Sequence, residues 1–204
     1  MRNSIRRSIL GSAVALSAAS SLMAAGGLHV VDLRCEWLSN PDGVDTGTPR
    51  LSWRVESEER GQRQTAYRIL VASTPERLAA GEGDLWDSGK FQSAETLGIP
   101  YGGRTLRSRQ ACHWQVRVWD RDDRESASSP PARWTMGLLE PGDWEARWIS
   151  YRDPSPLHTS RENLYLPAPR HYRKEFHAAR NIRRAPVHAS ALGIFELHLN
   201  GQRI

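Results

Sequence analysis

Lysine and cysteine are the residue types that this sequence has least of. Only Lys90 and Lys174 stand beside 26 arginines, and there are two cysteines in 204 residues. Two cysteines form at most one disulfide, which is too few to hold a chain of this length together. This excludes a protein whose fold depends on a framework of disulfides. The hydrophobic fraction of 39% excludes a disordered chain and supplies enough core for one large or two small domains. The preference for arginine over lysine says little about function.

A concentrated stripe of positive charge is also missing. The formal net charge is +5, but Arg2, Arg6 and Arg7 account for three of these charges. The other arginines are dispersed among aspartates and glutamates, and no basic run is longer than Arg183–Arg184. Because a nucleic-acid-binding protein clusters its cations, we expect no nucleic-acid partner.

The first 26 residues have the pattern of an export signal. A basic segment ends at Arg7, an apolar stretch follows over residues 8–25, and small residues at 24–27 offer a cleavage site. Serines interrupt the apolar stretch, whereas a membrane-spanning helix needs about twenty predominantly apolar residues. Arg6–Leu10 (RRSIL) is similar to the twin-arginine signal, and the general secretory route fits as well. We expect a periplasmic or extracellular protein with no membrane partner once the signal is cleaved.

Export would place Cys35 and Cys112 in an oxidising compartment, where a disulfide is permitted. Their spacing leaves two interpretations open, a bridge or two separate buried thiols. Cys112 is followed by His113, but adjacent strand residues point to opposite faces. A nucleophile paired with its base is therefore not expected at this position.

Alternation of apolar and polar residues predicts antiparallel strands from residue 28 onward. The clearest runs are Leu51–Val55, Tyr67–Val71 and Trp114–Val118, each bounded by turn-forming residues. One short helix is expected between them, with Thr74 as cap, Pro75 at its first position and Gly81 at its end. Short strands with turns between them predict an all-β chain, with a fibronectin type III-like or immunoglobulin-like antiparallel β-sandwich over residues 27–150.

A boundary follows this sandwich. Residues 151–169 contain four prolines and predict a linker. Strand patterns return at Tyr172–Phe176 and Leu192–Leu199, and Asn200–Gly201 is a strong two-residue hairpin turn. The three residues that remain are too few to complete a hairpin. Residues 170–204 therefore read as the truncated start of a second, jelly-roll-like β-sandwich.

No catalytic constellation is visible in the sequence. Residues 120–124 resemble a calcium loop but lack the glycine and glutamate that such a loop needs. Residues 81–83 lack the third glycine of a dinucleotide site. The late histidines have no metal-ligand spacing, and no two acids stand out as a glycosidase pair, although Glu58–Glu59 and Asp143 with Glu145 lie close in sequence. We expect no catalytic, cofactor-binding or metal-binding residue; the histidines considered are His171, His177, His188 and His198.

Longer stretches of the sequence carry a family resemblance. They read LRCEWLSNPDGVDTGTPRLSW at 33–53, RGQRQTAYRILVAS at 60–73, LWDSGK at 85–90, HWQVRVWD at 113–120, GLLEPGDWEARWI at 137–149 and SALGIFELHLNGQRI at 190–204. In this order they resemble the N-terminal region of bacterial α-L-rhamnosidases, which are exported glycoside hydrolases. The sequence departs from the family pattern at Asp122–Asp123, where a glycine-containing turn is usual, and at Pro186, which interrupts an expected strand.

The resemblance implies a non-catalytic fragment. In this family an (α/α)₆ barrel well downstream holds the acids that hydrolyse terminal α-L-rhamnosyl bonds with inversion, and these acids have no counterpart here. The implied partner is a rhamnosylated glycoside or polysaccharide, bound through that missing barrel. An independent exported carbohydrate-binding or adhesion module is the alternative. Trp53, Tyr67 and Trp114 are expected in the core, whereas Trp86 and Trp119 are expected to cover a sheet or pack on a neighbouring domain.

Overall fold

The computed structural model describes residues 27–151, 169–179, 181–182 and 184–204. The predicted export signal and most of the predicted linker lie outside these residues. No helix in the described part of the chain is long and apolar enough to cross a membrane. The elements are β1 (His29–Cys35), β2 (Arg50–Glu56), β3 (Ala66–Ala72), α1 (Pro75–Ala79), β4 (Trp86–Asp87), β5 (Phe91–Gln92), β6 (Ile99–Pro100), β7 (Ala111–Trp119), β8 (Ala132–Thr135), a 3₁₀ turn (Pro141–Asp143), β9 (His198–Leu199) and β10 (Gln202–Arg203).

Two antiparallel sheets form the sandwich. The first has the strand order β1-β2-β6, and its β1–β2 register shifts between Val31 and Arg34. The second has the order β4-β3-β7-β8, with β5 paired to the other end of β3. The longest ladder joins β3 to β7 and runs from the pair Ala66–Trp119 to the pair Ala72–His113. The predicted antiparallel β-sandwich is therefore confirmed.

The core lies between the two sheets and is rich in aromatic residues. Trp53, Tyr67 and Trp114 are 1%, 6% and 0% exposed, which confirms their predicted place in the core. Trp53 packs edge-on against Tyr67 with ring centroids 5.2 Å apart, and Trp114 meets Trp134 in the same way at 6.3 Å. Such pairs add to the gain from apolar burial. The Trp53–Tyr67 pair joins the two sheets, whereas the Trp114–Trp134 pair lies within the second sheet.

The predicted helix covers the outer face of β3. The Thr74 hydroxyl accepts a hydrogen bond from the Arg77 amide at 3.3 Å, and Pro75 occupies the first turn. Leu78 is buried with Leu70 and Ala72 in a second, smaller apolar cluster. This explains why β3 has apolar residues on both faces, where a sheet open to water on one side would alternate strictly.

Trp86 and Trp119 both cover the sandwich itself. Trp86 lies edge-on against Tyr101, with ring centroids 5.3 Å apart. Trp119 is nearly buried, and the Lys90 ammonium lies 4.8 Å from its ring centroid. A cation at this distance from an indole is attracted by the ring's quadrupole. Of the two predicted roles, these contacts correspond to covering a sheet.

The second run of strands is largely absent from the described residues. Tyr172–Phe176 is not a strand, which makes that prediction wrong, and only His198 and Leu199 of the predicted strand at 192–199 are paired. The prediction that the last residues cannot form a hairpin was also wrong, since Gln202 pairs with Leu199 around the Asn200–Gly201 turn. Strands need a paired neighbour and a buried face, and Tyr172 and Phe176 are exposed.

Candidate functional site: the Asp42 corner

A polar corner lies at the edge of the second sheet, where the chain between β1 and β2 passes beside β8. The Thr135 amide donates to the Pro41 carbonyl at 3.0 Å, and the Val44 amide donates to the Thr135 carbonyl at 2.9 Å. The Gly137 amide then donates to the Val44 carbonyl at 2.7 Å. These bonds satisfy the edge of the sheet and fix Asp42 beside Thr135.

One oxygen of the Asp42 carboxylate accepts three hydrogen bonds. Its Oδ1 accepts from Arg133 Nη1 at 2.9 Å, from the Thr135 hydroxyl at 2.8 Å and from Arg184 Nη2 at 2.6 Å. The hydrogen bond from Arg133 lowers the pKa of Asp42 most, partial burial opposes it, and the Thr135 bond and the charge of Arg184 lower it further. The group is therefore a carboxylate at neutral pH.

A cavity of about 380 Å³ opens beside this carboxylate. It is lined by Asp42, Gly43, Arg109, Thr135 and Met136 of the sandwich and by residues 184–188. Arg109 has a φ of +63°, a left-handed conformation that is uncommon for a residue with a Cβ. Backbone strain of this kind concentrates at functional positions.

The chain that leaves the sandwich is tied to the same corner. The Leu139 amide donates to the Ser108 hydroxyl at 2.8 Å, and this hydroxyl donates to the Asp143 carboxylate. Arg109 Nη2 donates to the Asp143 carbonyl at 3.0 Å. The hydrogen bond from Ser108 is the largest cause of the lowered pKa of Asp143.

A strained turn precedes the corner. Glu36, Trp37 and Asn40 have positive φ values of 47°, 67° and 51°. Arg50 holds this turn, because its Nη2 pairs with Glu36 Oε2 at 2.6 Å and its guanidinium lies 5.8 Å from the Trp37 ring centroid. Half of the Trp37 surface remains exposed. The turn therefore holds an exposed indole beside two charged side chains.

The sequence motifs that resembled sites have structural roles. The loop at 120–124 is a turn in which Asp120 Oδ1 accepts the amides of Asp122 and Arg124 at 2.8 and 2.9 Å. Asp123 takes the positive φ, +61°, that glycine usually supplies there. Cys112 is buried in the core, as is Cys35, and both are free thiols.

The candidate metal and acid groups also remain apart. No group of three histidine, cysteine or acidic side chains within the described ranges could hold a metal ion. His188 lies at the cavity, and His198 contacts Glu196 at 3.3 Å. Glu59 pairs with Arg121 at 2.7 Å. Among the described residues that line the cavity, Asp42 is the one carboxylate, so it lacks the opposed pair of acids that glycoside hydrolysis requires.

The fold and the corner together define an immunoglobulin-like domain with a polar corner at the edge of its second sheet. Comparison with known proteins assigns the family, since residues 30–140 match the Rha78A-like, N-terminal immunoglobulin domain. The chain belongs to this family. The predicted family and the β-sandwich fold are thereby confirmed, and the match corresponds to the N-terminal part of members of this family.

Several relatives bear the name α-L-rhamnosidase. One from Formosa agariphila is 34% identical over 169 residues, and one from Alteromonas sp. is 37% identical over 171 residues. Each alignment includes 83% of this chain and 18% of the relative. One from Streptomyces avermitilis is 42% identical over 130 residues, with 64% of this chain and 12% of the relative aligned. The chain thus spans less than a fifth of the length of these relatives.

Two solved structures of α-L-rhamnosidases are similar to this chain over about three fifths of its length. The α-L-rhamnosidase of Streptomyces avermitilis, complexed with L-rhamnose, has 41% identity and a TM-score of 0.59 over 63% of this chain and 12% of that one. The α-L-rhamnosidase from Dictyoglumus thermophilum has 38% identity and a TM-score of 0.60 over 61% of this chain and 14% of that one.

The Asp42 corner itself was missed by sequence reasoning. Nothing in the sequence around Asp42 links it to Arg184, which lies 142 positions downstream.

Proposed function

We propose that this chain supplies the N-terminal, non-catalytic part of an exported α-L-rhamnosidase that hydrolyses terminal α-L-rhamnosyl bonds. The match of residues 30–140 to the Rha78A-like immunoglobulin domain carries the proposal. The α-L-rhamnosidase name of the relatives supports it. The catalytic acids would belong to an (α/α)₆ barrel outside these 204 residues, and the substrate would be a rhamnosylated glycoside or polysaccharide.

The sandwich would brace the enzyme. Core side chains of both sheets pack against one another in its interior. Its distinctive surface is the Asp42 corner, where ion pairs and hydrogen bonds join sandwich residues to the segments at 139–143 and 184–188. A rigid body with two such attachments suits a domain that positions its neighbours.

Export is part of the proposal. The basic and apolar pattern of residues 1–26 supports a cleaved signal, and the Arg6-Arg7 pair supports the twin-arginine route. The protein would then act in the periplasm or outside the cell. Expression in a bacterial host, with amino-terminal sequencing of the exported product, tests the cleavage near Gly26. An uncleaved cytoplasmic product would contradict it.

An activity assay tests the enzymatic part. The purified chain is incubated with p-nitrophenyl α-L-rhamnoside, with the Streptomyces avermitilis α-L-rhamnosidase as positive control. We expect no release of p-nitrophenol by the chain, because the cavity beside Asp42 has only that one carboxylate among its described lining residues, whereas glycoside hydrolysis uses two opposed acids. Turnover that co-purifies with the chain would overturn the non-catalytic assignment.

Carbohydrate binding by the sandwich itself is a second candidate, and the half-exposed Trp37 beside Glu36 and Arg50 favours it. An indole face suits the C–H side of a pyranose, and the two charged groups could hydrogen-bond hydroxyls. Titration with L-rhamnose, followed by tryptophan fluorescence, tests it with the Trp37→Ala variant as control. A saturable change lost in the variant supports binding, and a flat response to millimolar sugar counts against it.

A further inference from the structure

The polar corner holds the chain at two points. Asp143 is bound through Ser108 and Arg109 as the chain leaves the sandwich. Arg184 then returns to the same corner and binds Asp42 at 2.6 Å. A segment attached at one point can still rotate about that point relative to the sandwich, whereas a second, separate attachment restricts this rotation. The stretch between Asp143 and Arg184 therefore begins and ends on one surface.

The Arg184 contact has a geometry that can be engaged and released. Asp42 already has two donors within the sandwich, Arg133 and Thr135. Its carboxylate consequently stays oriented whether or not Arg184 is present, which is a preorganised receptor for a guanidinium. The Arg184 and Asp42 side chains are 50% and 56% exposed, so water can solvate both when they separate.

The segment that carries Arg184 is suited to docking. Pro186 fixes its own φ and reduces the conformational freedom that the segment loses when it binds. Residues 184–188 line the same cavity as Thr135 and Met136. His188 and Arg109 face the same cavity, so Asp42 contributes the negative charge there among the described lining residues.

We propose that Asp42 and Thr135 form a docking site for the Arg184–His188 segment, and that this latch, together with the Asp143 anchor, orients the region after the linker relative to the immunoglobulin domain. The proposal deepens the proposed bracing function. It concerns the position of one segment of this chain, so its test needs no enzymatic activity.

Limited trypsin digestion tests the latch. Cleavage after Arg184 requires its side chain to leave Asp42 and enter the protease. In the Asp42→Asn variant we expect this cleavage to be about threefold to fivefold faster, the range that loss of an exposed ion pair allows. Cleavage after Arg173, whose side chain is 84% exposed, should keep its rate and serves as the internal reference.

The matched control is Asp45→Asn, which removes an exposed carboxylate three positions along the same segment. It should leave cleavage after Arg184 unchanged. Equal cleavage rates after Arg184 in the unmodified chain and in Asp42→Asn would overturn the proposal. So would an equal acceleration in Asp45→Asn, because the effect would then follow net charge and not the contact.

Labelling of His188 with diethyl pyrocarbonate separates the latch from a general loss of stability, because Asp42→Asn also weakens contacts within the sandwich. The Arg184→Gln variant leaves the Arg133 and Thr135 bonds intact. We expect it to speed the labelling of His188, which is partly buried and lines the cavity, by up to about fivefold, with no change at the exposed His198. Arg184→Lys should recover part of the protection, and Asp42→Asn/Arg184→Gln should add nothing at His188 beyond Arg184→Gln.

These outcomes are independent of catalysis. Unchanged labelling of His188 in Arg184→Gln would overturn the latch and leave the rhamnosidase assignment standing. Conversely, if the enzymatic proposal fails in the glycoside assay, faster labelling of His188 in Arg184→Gln still supports docking of the segment.

Discussion

The indole of Trp53 and the side-chain amide of Gln64 are joined inside the sandwich. Trp53 Nε1 donates to Gln64 Oε1 at 3.0 Å, and Gln64 Nε2 donates to the carbonyls of Ser93 and Glu95 at 3.1 and 2.9 Å. Gln64 is 5% exposed. One glutamine therefore satisfies an indole of the first sheet and two carbonyls of the chain between β5 and β6.

Replacing this glutamine should destabilise the sandwich. In Gln64→Leu the Trp53 N–H and both carbonyls lose their partner, and a buried polar group left unsatisfied costs about 1–3 kcal/mol. We expect the free energy of unfolding to fall by about 2–4 kcal/mol, measured by urea denaturation with tryptophan fluorescence. The exposed Gln92→Leu is the control and should change stability by less than about 0.5 kcal/mol. Equal stability of the two variants would contradict this role.

Asp120 should make stability depend on acid. Burial alone would raise the pKa of Asp120, but the hydrogen bonds from the Arg124 and Asp122 amides and the Arg124 charge lower it. The folded pKa thus lies below that of the unfolded chain. The ionised group stabilises the fold above the ordinary aspartate pKa of about 3.9, and this contribution is lost as the pH falls through the folded value.

The Asp120→Asn variant measures this contribution. We expect a loss of about 1–2 kcal/mol at neutral pH, since hydrogen bonds to a charged acceptor are the stronger kind. The difference from the unmodified chain should shrink as the pH falls below about 4. Glu58→Gln removes an exposed carboxylate instead and serves as the control. A difference that grows in acid would contradict the assigned sign.

The two thiols should be unreactive in the folded chain. Burial raises the pKa of both Cys35 and Cys112 to about 12, and both are almost completely buried. Because the thiolate is the reactive form, a thiol-specific disulfide reagent at mildly alkaline pH should label neither residue until denaturant is added. Both should then react. Rapid labelling of the native chain, or no labelling after denaturation, would contradict two free buried thiols.

Gly103 should not tolerate a side chain. A Cβ at this position would collide with the Leu85 carbonyl and lie 2.5 Å from the Trp86 Cβ and the Tyr101 hydroxyl. Overpacking of this kind costs about 1–3 kcal/mol, so Gly103→Ala should lower the thermal midpoint. Gly142→Ala is matched, because nothing lies within 4 Å of a Cβ there. The expectation is wrong if the two variants unfold at the same temperature.

The strands of the sandwich could be predicted because their signal is local. Trp53, Tyr67 and Trp114 each alternate with polar neighbours, and Thr74 with Pro75 marks a helix start wherever it occurs. The predicted strand at Tyr172–Phe176 failed for a different reason. Alternation of apolar and polar residues shows that a segment can form a strand when another strand pairs with it. The described residues supply no strand that pairs with Tyr172–Phe176.

The Asp42 corner could not be predicted for a related reason. Its members come from three places, with Asp42 before β2, Thr135 at the end of β8 and Arg184 far downstream. Within its own stretch of sequence, each is an ordinary polar residue with no distinguishing motif. Only the pairing of residues 41–44 with the end of β8 brings Asp42 within reach of Thr135, and that pairing is a long-range property of the fold.

The two edges of β3 are paired to different extents, and this difference suggests an order in which the strands of the sandwich separate. One edge is joined to β7 along all seven residues, whereas the other carries only the two-residue pieces β4 and β5. Loss of those pieces would leave the long β3–β7 ladder closed. We expect β4 and β5 to detach from β3 and rebind while the β3–β7 pairing persists, and the domain to unfold only when that pairing breaks.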